Sequence, residues 1–252
     1  MGLVMKGWIK RILTPQSAVQ FPSLAPDAPF YAIGDVHGRL DLVEALMARL
    51  DPTLPVVFVG DYVDRGENSA GVLRFLQALS GETDRGTICL MGNHEDMLLS
   101  FLEHPERRGR TWLRNGGLQT LASFGVAGVS ETSSGDALNT AAQDLRAAMG
   151  GVLIDWLRQR PLFWRSGNIV AVHAGADPEK PVEDQPVQNL IWGHPAFRTT
   201  LRNDGLWVLH GHTIVEEPLL GNGSISIDTG AYATGHLTAA LVGNGTVEFV
   251  SS

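Results

Sequence analysis

Cysteine is all but missing from this chain: Cys89 is the single one in 252 residues. No intrachain disulfide can form, and the apolar run around Cys89 marks it as a buried, inert thiol. An excess of basic residues is missing too. The 19 Lys and Arg stand against 27 Asp and Glu, a formal net charge of −8. That balance excludes a protein whose affinity rests on gripping nucleic-acid phosphates. No segment approaches the roughly 18 consecutive apolar residues that a membrane span requires. Residues 1–13 mix Lys6, Lys10 and Arg11 with Trp8, Ile9 and Leu13, and they lack the apolar stretch and cleavage site of a signal peptide. They read as a segment that docks on its own domain or frays. Peripheral membrane contact through a short amphipathic helix is the lesser reading. Repeats and low-complexity tracts are absent as well, and a cytoplasmic location is the default these absences leave.

What is present suffices for a sizeable core, with 44% of residues apolar and 18% charged. Pro15, Pro22, Pro26 and Pro29 punctuate an irregular lead-in over 1–29, ahead of a single domain over 30–252. There, β-branched and aromatic runs alternate with helical periodicity. Strands are expected at 30–33, 55–59 and 87–90, and helices at 40–50, 69–79 and 95–102. Residues 105–160 read as a helical insertion, broken at Asn115-Gly116-Gly117 and by a Ser/Thr/Gly-rich loop near 130–135. Strands resume at 162–164, 169–172, 206–209, 224–227, 237–242 and 247–250. The order predicts an α/β fold of two stacked β-sheets flanked by helices, with the second half mixed or antiparallel.

Five polar clusters follow directly on strand-like runs: Gly34-Asp35-Val36-His37-Gly38, Gly60-Asp61-Tyr62-Val63-Asp64-Arg65-Gly66, Gly92-Asn93-His94-Glu95, His173-Ala174-Gly175 and Gly211-His212-Thr213. Singly, each reads as turn chemistry, with Gly supplying positive φ and Asp bonding nearby amides. Together they bring Asp, His and Asn to strand ends that a layered sheet would gather on one edge. That mix of carboxylate, imidazole and amide oxygen suits divalent metals such as Mn²⁺, Fe²⁺ or Zn²⁺. So many ionisable groups converging without a partner would be costly.

These motifs resemble the phosphoprotein phosphatase family of metallophosphoesterases in its bacterial and phage-type branch, from about residue 30 to 250. The resemblance implies a calcineurin-like metallophosphoesterase fold with two metals, Mn²⁺ foremost, about 3.5–4 Å apart. It implies that Asp35 and His37 hold the first metal, that Asp61 bridges, and that Asn93, His173 and His212 hold the second. A metal-bridging hydroxide would attack phosphorus directly. His94 would protonate the leaving oxygen, Asp64 would orient His94, and Arg65, with Asn93 and His94, would bind phosphate. Many relatives carry a further Arg after an Ile-Trp pair. Here the stretch is Ile191-Trp192-Gly193-His194, so His194, Arg198 or Arg202 is expected in its place.

Of the remaining polar residues, Glu95 is expected to cap its helix. Asp228 is expected either to orient a metal-binding His or to act as a turn Asp. His210 would lie behind the metal ligands at best, while His104 and His236 would be structural or exposed. The first functional expectation is a phosphoserine/phosphothreonine phosphatase acting on a phosphorylated protein or peptide. The alternative is a diadenosine tetraphosphatase or other nucleotide hydrolase, with Trp112, Trp192 and the Arg107, Arg108, Arg110, Arg114 group as surfaces for a base or phosphate. A scaffold that has lost catalysis ranks last, because Asp61, Asp64, Arg65 and His94 are all present.

Overall fold

The computed structural model describes residues 9–13, 21–82 and 85–252, so the expectations for residues 1–8 and 14–20 lie outside the described residues. Strand β1 (Ile9–Leu13) pairs antiparallel with the last strand of the chain. These five residues thus extend a sheet edge instead of forming the amphipathic helix considered above. A lead-in over 21–29 then crosses the second sheet, where Leu24 is buried and Trp207 Nε1 donates to Pro22 O at 2.8 Å.

The alternation read from the sequence follows: β2 (Phe30–Ile33), α1 (Leu40–Met47), β3 (Val56–Phe58), α2 (Ser69–Gly81), β4 (Thr87–Cys89) and α3 (Asn93–Glu103). Helices α4 (Pro105–Trp112), α5 (Leu118–Ser123), α6 (Asp136–Met149) and α7 (Gly151–Arg158) come next. Between α4 and α5 lies a kinked turn with π-type spacing, Leu113–Gly117, where Gly116 takes φ 102°. The chain then runs through β5 (Phe163–Ser166), β6 (Ile169–Val172), α8 (Val187–Trp192), β7 (Trp207–His210), β8 (Leu219–Gly221) and β9 (Ser224–Ser226). It ends with α9 (Ala231–Thr234), β10 (Thr238–Gly243) and β11 (Thr246–Ser251).

The strands form two sheets, ordered β1-β11-β10-β2-β3-β4 and β5-β6-β7-β9-β8. Both are mixed: β2, β3 and β4 run parallel, as do β6, β7 and β9, with antiparallel strands outside them. Alternate residues explain the continuous apolar runs. Phe30, Ala32 and Val57 turn toward the second sheet, where Ile169, Ala171, Leu209 and Ile225 meet them. Tyr31, Ile33, Val56 and Phe58 turn the other way onto α1, α2 and α3. A strand buried on both faces has no polar side to show. Strand β8 and helix α8 have no counterpart in the sequence reading, since three and six residues leave little periodicity to detect. Among the described residues no helix is long and apolar enough to cross a membrane.

Candidate active site

Parallel strands place their C-terminal ends on one edge, and the five polar clusters follow β2, β3, β4, β6 and β7. The loops there are tightly wound. Of the six non-glycine residues with positive φ among those described, five are His37, Asp61, Asp64, Arg65 and His212. Each such conformation costs an L-residue about 1–2 kcal/mol, so strain is concentrated at this edge. Gly211 serves by close approach, because a Cβ there would fall on Asp35 Oδ1. Its absence lets the His212 amide donate to both Asp35 oxygens at 3.1 Å.

Glu95 does more than cap α3. Its Oε1 accepts from Tyr62 N at 2.8 Å and Val63 N at 3.2 Å, and its Oε2 from Asp61 N at 2.8 Å and Gly92 N at 3.1 Å. One buried carboxylate therefore ties the loop carrying Asp61 to the loop carrying Asn93.

Asp61 lies at the centre. Its Oδ2 is 3.6 Å from His37 Nε2 and 3.9 Å from His94 Nε2, while its Oδ1 is 3.3 Å from His173 Nε2. Asn93 Oδ1 sits 2.8 Å from His173 Nε2 and 2.9 Å from His212 Nδ1. His37 Nδ1 donates to Val63 O at 2.8 Å, and His173 Nδ1 to Val59 O at 3.1 Å. A carbonyl can only accept, so each Nε2 is left as a lone pair turned inward. Burial drives both imidazoles down, to about 3 for His37 and about 4 for His173, so both are neutral at pH 7. Burial, then Asp228 and Asp61, hold the Asp35 carboxyl well above the usual carboxylate range. Converging lone pairs and carboxylates with few donors among them form a set that divalent cations satisfy. The ligand atoms of His37, Asp61 and His94 lie within 4.8 Å of one another, as do those of Asp61, His173 and His212. Asp61 belongs to both groups.

Beside this centre, His94 Nδ1 donates to Asp64 Oδ2 at 2.7 Å. Asp64 is fully buried and also accepts from Trp112 Nε1 at 3.1 and 3.0 Å and from Thr120 Oγ1 at 2.6 Å. Burial raises its carboxyl against those donors. Burial also disfavours the His94 imidazolium, but Asp61 and Asp64 outweigh it and raise the His94 pKa. Arg65 brings one guanidinium nitrogen to 3.3 Å from His94 Nε2, lies 4.8 Å over the Tyr232 ring and donates its amide to Gly116 O at 3.3 Å. Trp112, Thr120 and Gly116 thus support Asp64 and Arg65 from the insertion. The sequence offered a single hint of this, the Asn115-Gly116-Gly117 break.

Of the other residues named from the sequence, some stand as expected and others are corrected. Trp112 is fully buried with its Nε1 on Asp64, so it offers no base-stacking face; Trp192 does, being 38% exposed and 6.3 Å from the His212 ring. Arg202 is buried and binds Asp204 in its own loop and the carbonyls of Asp177 and Lys180 in the loop before α8, which occupies its fork. Arg198 is exposed beside His210. His194 accepts from Ala196 N at 3.3 Å and lies 3.9 Å from Asp177. Asp228 accepts from Gly230 N at 2.8 Å and packs against Asp35 instead of orienting a histidine. His210 ends β7 and bonds Ser226 Oγ at 2.8 Å and Gly211 O at 2.9 Å, because the turn at His212 separates the two rings. His104 and His236 are exposed.

The calcineurin-like phosphoesterase family model matches residues 28–216. An asymmetrical bis(5'-nucleosyl)-tetraphosphatase of Bacillus subtilis (strain 168) is 30% identical over 232 residues, 82% of this chain and 87% of that protein. A symmetrical bis(5'-nucleosyl)-tetraphosphatase of Glaesserella parasuis serovar 5 is 33% identical, over 59% of this chain and 45% of that protein. Among solved structures, a cold-active protein-tyrosine phosphatase of a psychrophilic Shewanella superposes with a TM-score of 0.58 at 18% identity, covering 95% of this chain and 89% of that one. The two mixed sheets, the polar edge built on their parallel strands and the match over residues 28–216 agree: the chain belongs to the calcineurin-like phosphoesterase family.

Proposed function

We propose that this protein hydrolyses bis(5'-nucleosyl) tetraphosphates or closely related nucleotide polyphosphates at a two-metal centre. The observation that carries phosphate-ester hydrolysis is Asp61, whose two oxygens face separate histidine groups beside the buried His94–Asp64 pair. The substrate class follows the tetraphosphatase matched over 87% of its own length. Nucleotide hydrolysis therefore moves ahead of the phosphoprotein reading that the motifs first suggested.

In this scheme Asp35 and His37 would hold one divalent ion, Asn93, His173 and His212 would hold the other, and Asp61 would serve both. When bound, the pair supplies Lewis-acid charge and an acidified water as attacking group. The chain supplies the rest. Arg65 forks onto phosphate oxygens and restrains them as negative charge develops. His94 gives its Nε2 proton to the departing oxygen, a step worth typically about 10²–10⁴-fold. Asp64 keeps that ring charged and aimed, because it accepts from Nδ1.

Metal-stripped protein, reloaded with Mn²⁺, should cleave diadenosine tetraphosphate faster than a phosphothreonine peptide. The nucleotide products, two ADP or ATP with AMP, distinguish symmetrical from asymmetrical cleavage. Faster release from the peptide would return the assignment to a protein phosphatase. Calorimetry should count about two Mn²⁺ per chain, and His173→Ala should lose one of them, because His173 belongs to only one of the two groups that meet at Asp61.

A further inference from the structure

A groove of about 480 Å³ opens directly beside Arg65, between the kinked Leu113–Gly117 turn and Tyr232. Its volume falls within the roughly 300–1,000 Å³ of small-molecule sites. Arg114, Asn115, Gln119 and Glu131 line it together with Arg65 and Tyr232. Arg65 is the link between groove and chemistry: one end of its fork stands 3.3 Å from His94 Nε2, and the same side chain forms the groove wall. The group bonded to an oxygen that His94 protonates therefore has its way out past Arg65 and into this groove.

The lining chemistry narrows the occupant. Of the four arginines clustered in the insertion, only Arg114 lines this groove. It is exposed and makes no hydrogen bond or ion pair with the described residues, whereas Arg110 bonds Ser133 O at 3.3 Å. A ligand with a single phosphate is already served by Arg65 and gives Arg114 nothing to bind. A ligand with consecutive phosphates serves both. Beyond the cations, the Gln119 amide makes no hydrogen bond with the described residues, and Asn115 directs Nδ2 to Thr111 O at 2.8 Å while its carbonyl oxygen meets no donor among them. Such amides read the edge of a base, and a carboxylate such as Glu131 accepts from sugar hydroxyls. The walls are set in advance, since Arg65 N–H donates to Gly116 O and a Cβ on Gly116 would collide with Arg65.

We infer that this groove is the leaving-group subsite, taking the departing nucleoside polyphosphate with Arg114 on its phosphates and Gln119 at its base. The inference rests on the nucleotide reading given above. Its test compares diadenosine tetraphosphate with p-nitrophenyl phosphate, whose leaving group carries no phosphate for Arg114 to bind. In Mn²⁺-loaded Arg114→Ala the ratio of kcat/KM for the dinucleotide to that for the aryl ester should fall about tenfold or more, the scale of one lost charge-assisted contact. Arg114→Lys should recover part of it. Arg107→Ala, the same charge change on an exposed residue outside the groove, should keep the wild-type ratio. Calorimetric binding of ADP should weaken in Arg114→Ala as an independent readout.

If wild type cleaves the dinucleotide but its ratio and ADP affinity survive Arg114→Ala within twofold, the groove assignment falls and the nucleotide reading stands. If wild type does not cleave the dinucleotide, both fall. A larger loss on a phosphothreonine peptide than on the dinucleotide would make the groove a peptide track and overturn the inference.

Discussion

Replacing Trp112 by Phe isolates what the insertion contributes to Asp64. The indole is fully buried, stacked on Phe101 with ring centroids 4.6 Å apart, and its Nε1–H reaches Asp64 Oδ1 and Oδ2 at 3.1 and 3.0 Å. Phe retains the stack and removes the donor. A hydrogen bond to a charged group contributes about 1.5–3 kcal/mol, and for a chain of this size each kcal/mol moves Tm by about 2–4 °C. The expected loss is therefore about 3–12 °C in a thermal melt. The smaller ring also leaves a void, which adds to that figure. Thr120→Val removes the second neutral donor to the same carboxylate. Because both act on Asp64, the double variant should depart from additivity by at least about 0.5 kcal/mol. The rate should fall with stability, since Asp64 is then less firmly set against His94. A Tm within about 2 °C of wild type in Trp112→Phe, with unchanged kcat, would refute the view that the insertion holds the acid in place.

Three further outcomes follow from the buried groups. Asp64→Asn withdraws a carboxylate that holds the His94 pKa up. The alkaline limb of the pH–rate profile should move to lower pH, and a limb that stays in place would remove His94 from the role of acid. Burial raises Asp228 to about 6, so its contribution to stability is complete below the unfolded carboxylate pKa and is lost as pH rises through about 6. Metal-stripped Asp228→Asn should then melt above metal-stripped wild type at pH 8, with the gap closing toward pH 4; an equal or lower melting point at pH 8 contradicts this. Burial pushes the Cys89 thiol up to about 12. Iodoacetamide should label it only after denaturation, and rapid labelling of the native protein would contradict its burial.

Much of the fold was legible because its signals are local. Phe30–Ile33 and Ile169–Val172 are apolar at every position, as strands covered on both faces must be, and both lie at the expected positions. The helices at Leu40–Met47 and Ser69–Gly81 show the three- and four-residue spacing that buries one side. Strands β1 and β8 were not legible: β8 has three residues, too few to show a period, and in β1 the consecutive Lys10 and Arg11 break the apolar alternation. Asp35, His37, Asp61, Asn93, His173 and His212 could be gathered from the sequence because they directly follow five strands, and parallel strands deliver their ends to one place.

Tertiary structure alone decided how those residues are held. Trp112 and Thr120 reach Asp64 from 48 and 56 positions away, and Glu95 reaches the Asp61 loop from 34. Nothing in a local pattern distinguishes a Trp that stacks a base from one that donates to a carboxylate. Arg202 and Arg114 are equally basic in the sequence, yet one is folded onto Asp204 and the other is left facing a groove. Hydrophobic period is a property of neighbours along the chain and can be read there. Hydrogen-bond pairing and exposure depend on neighbours in space, which packing brings together.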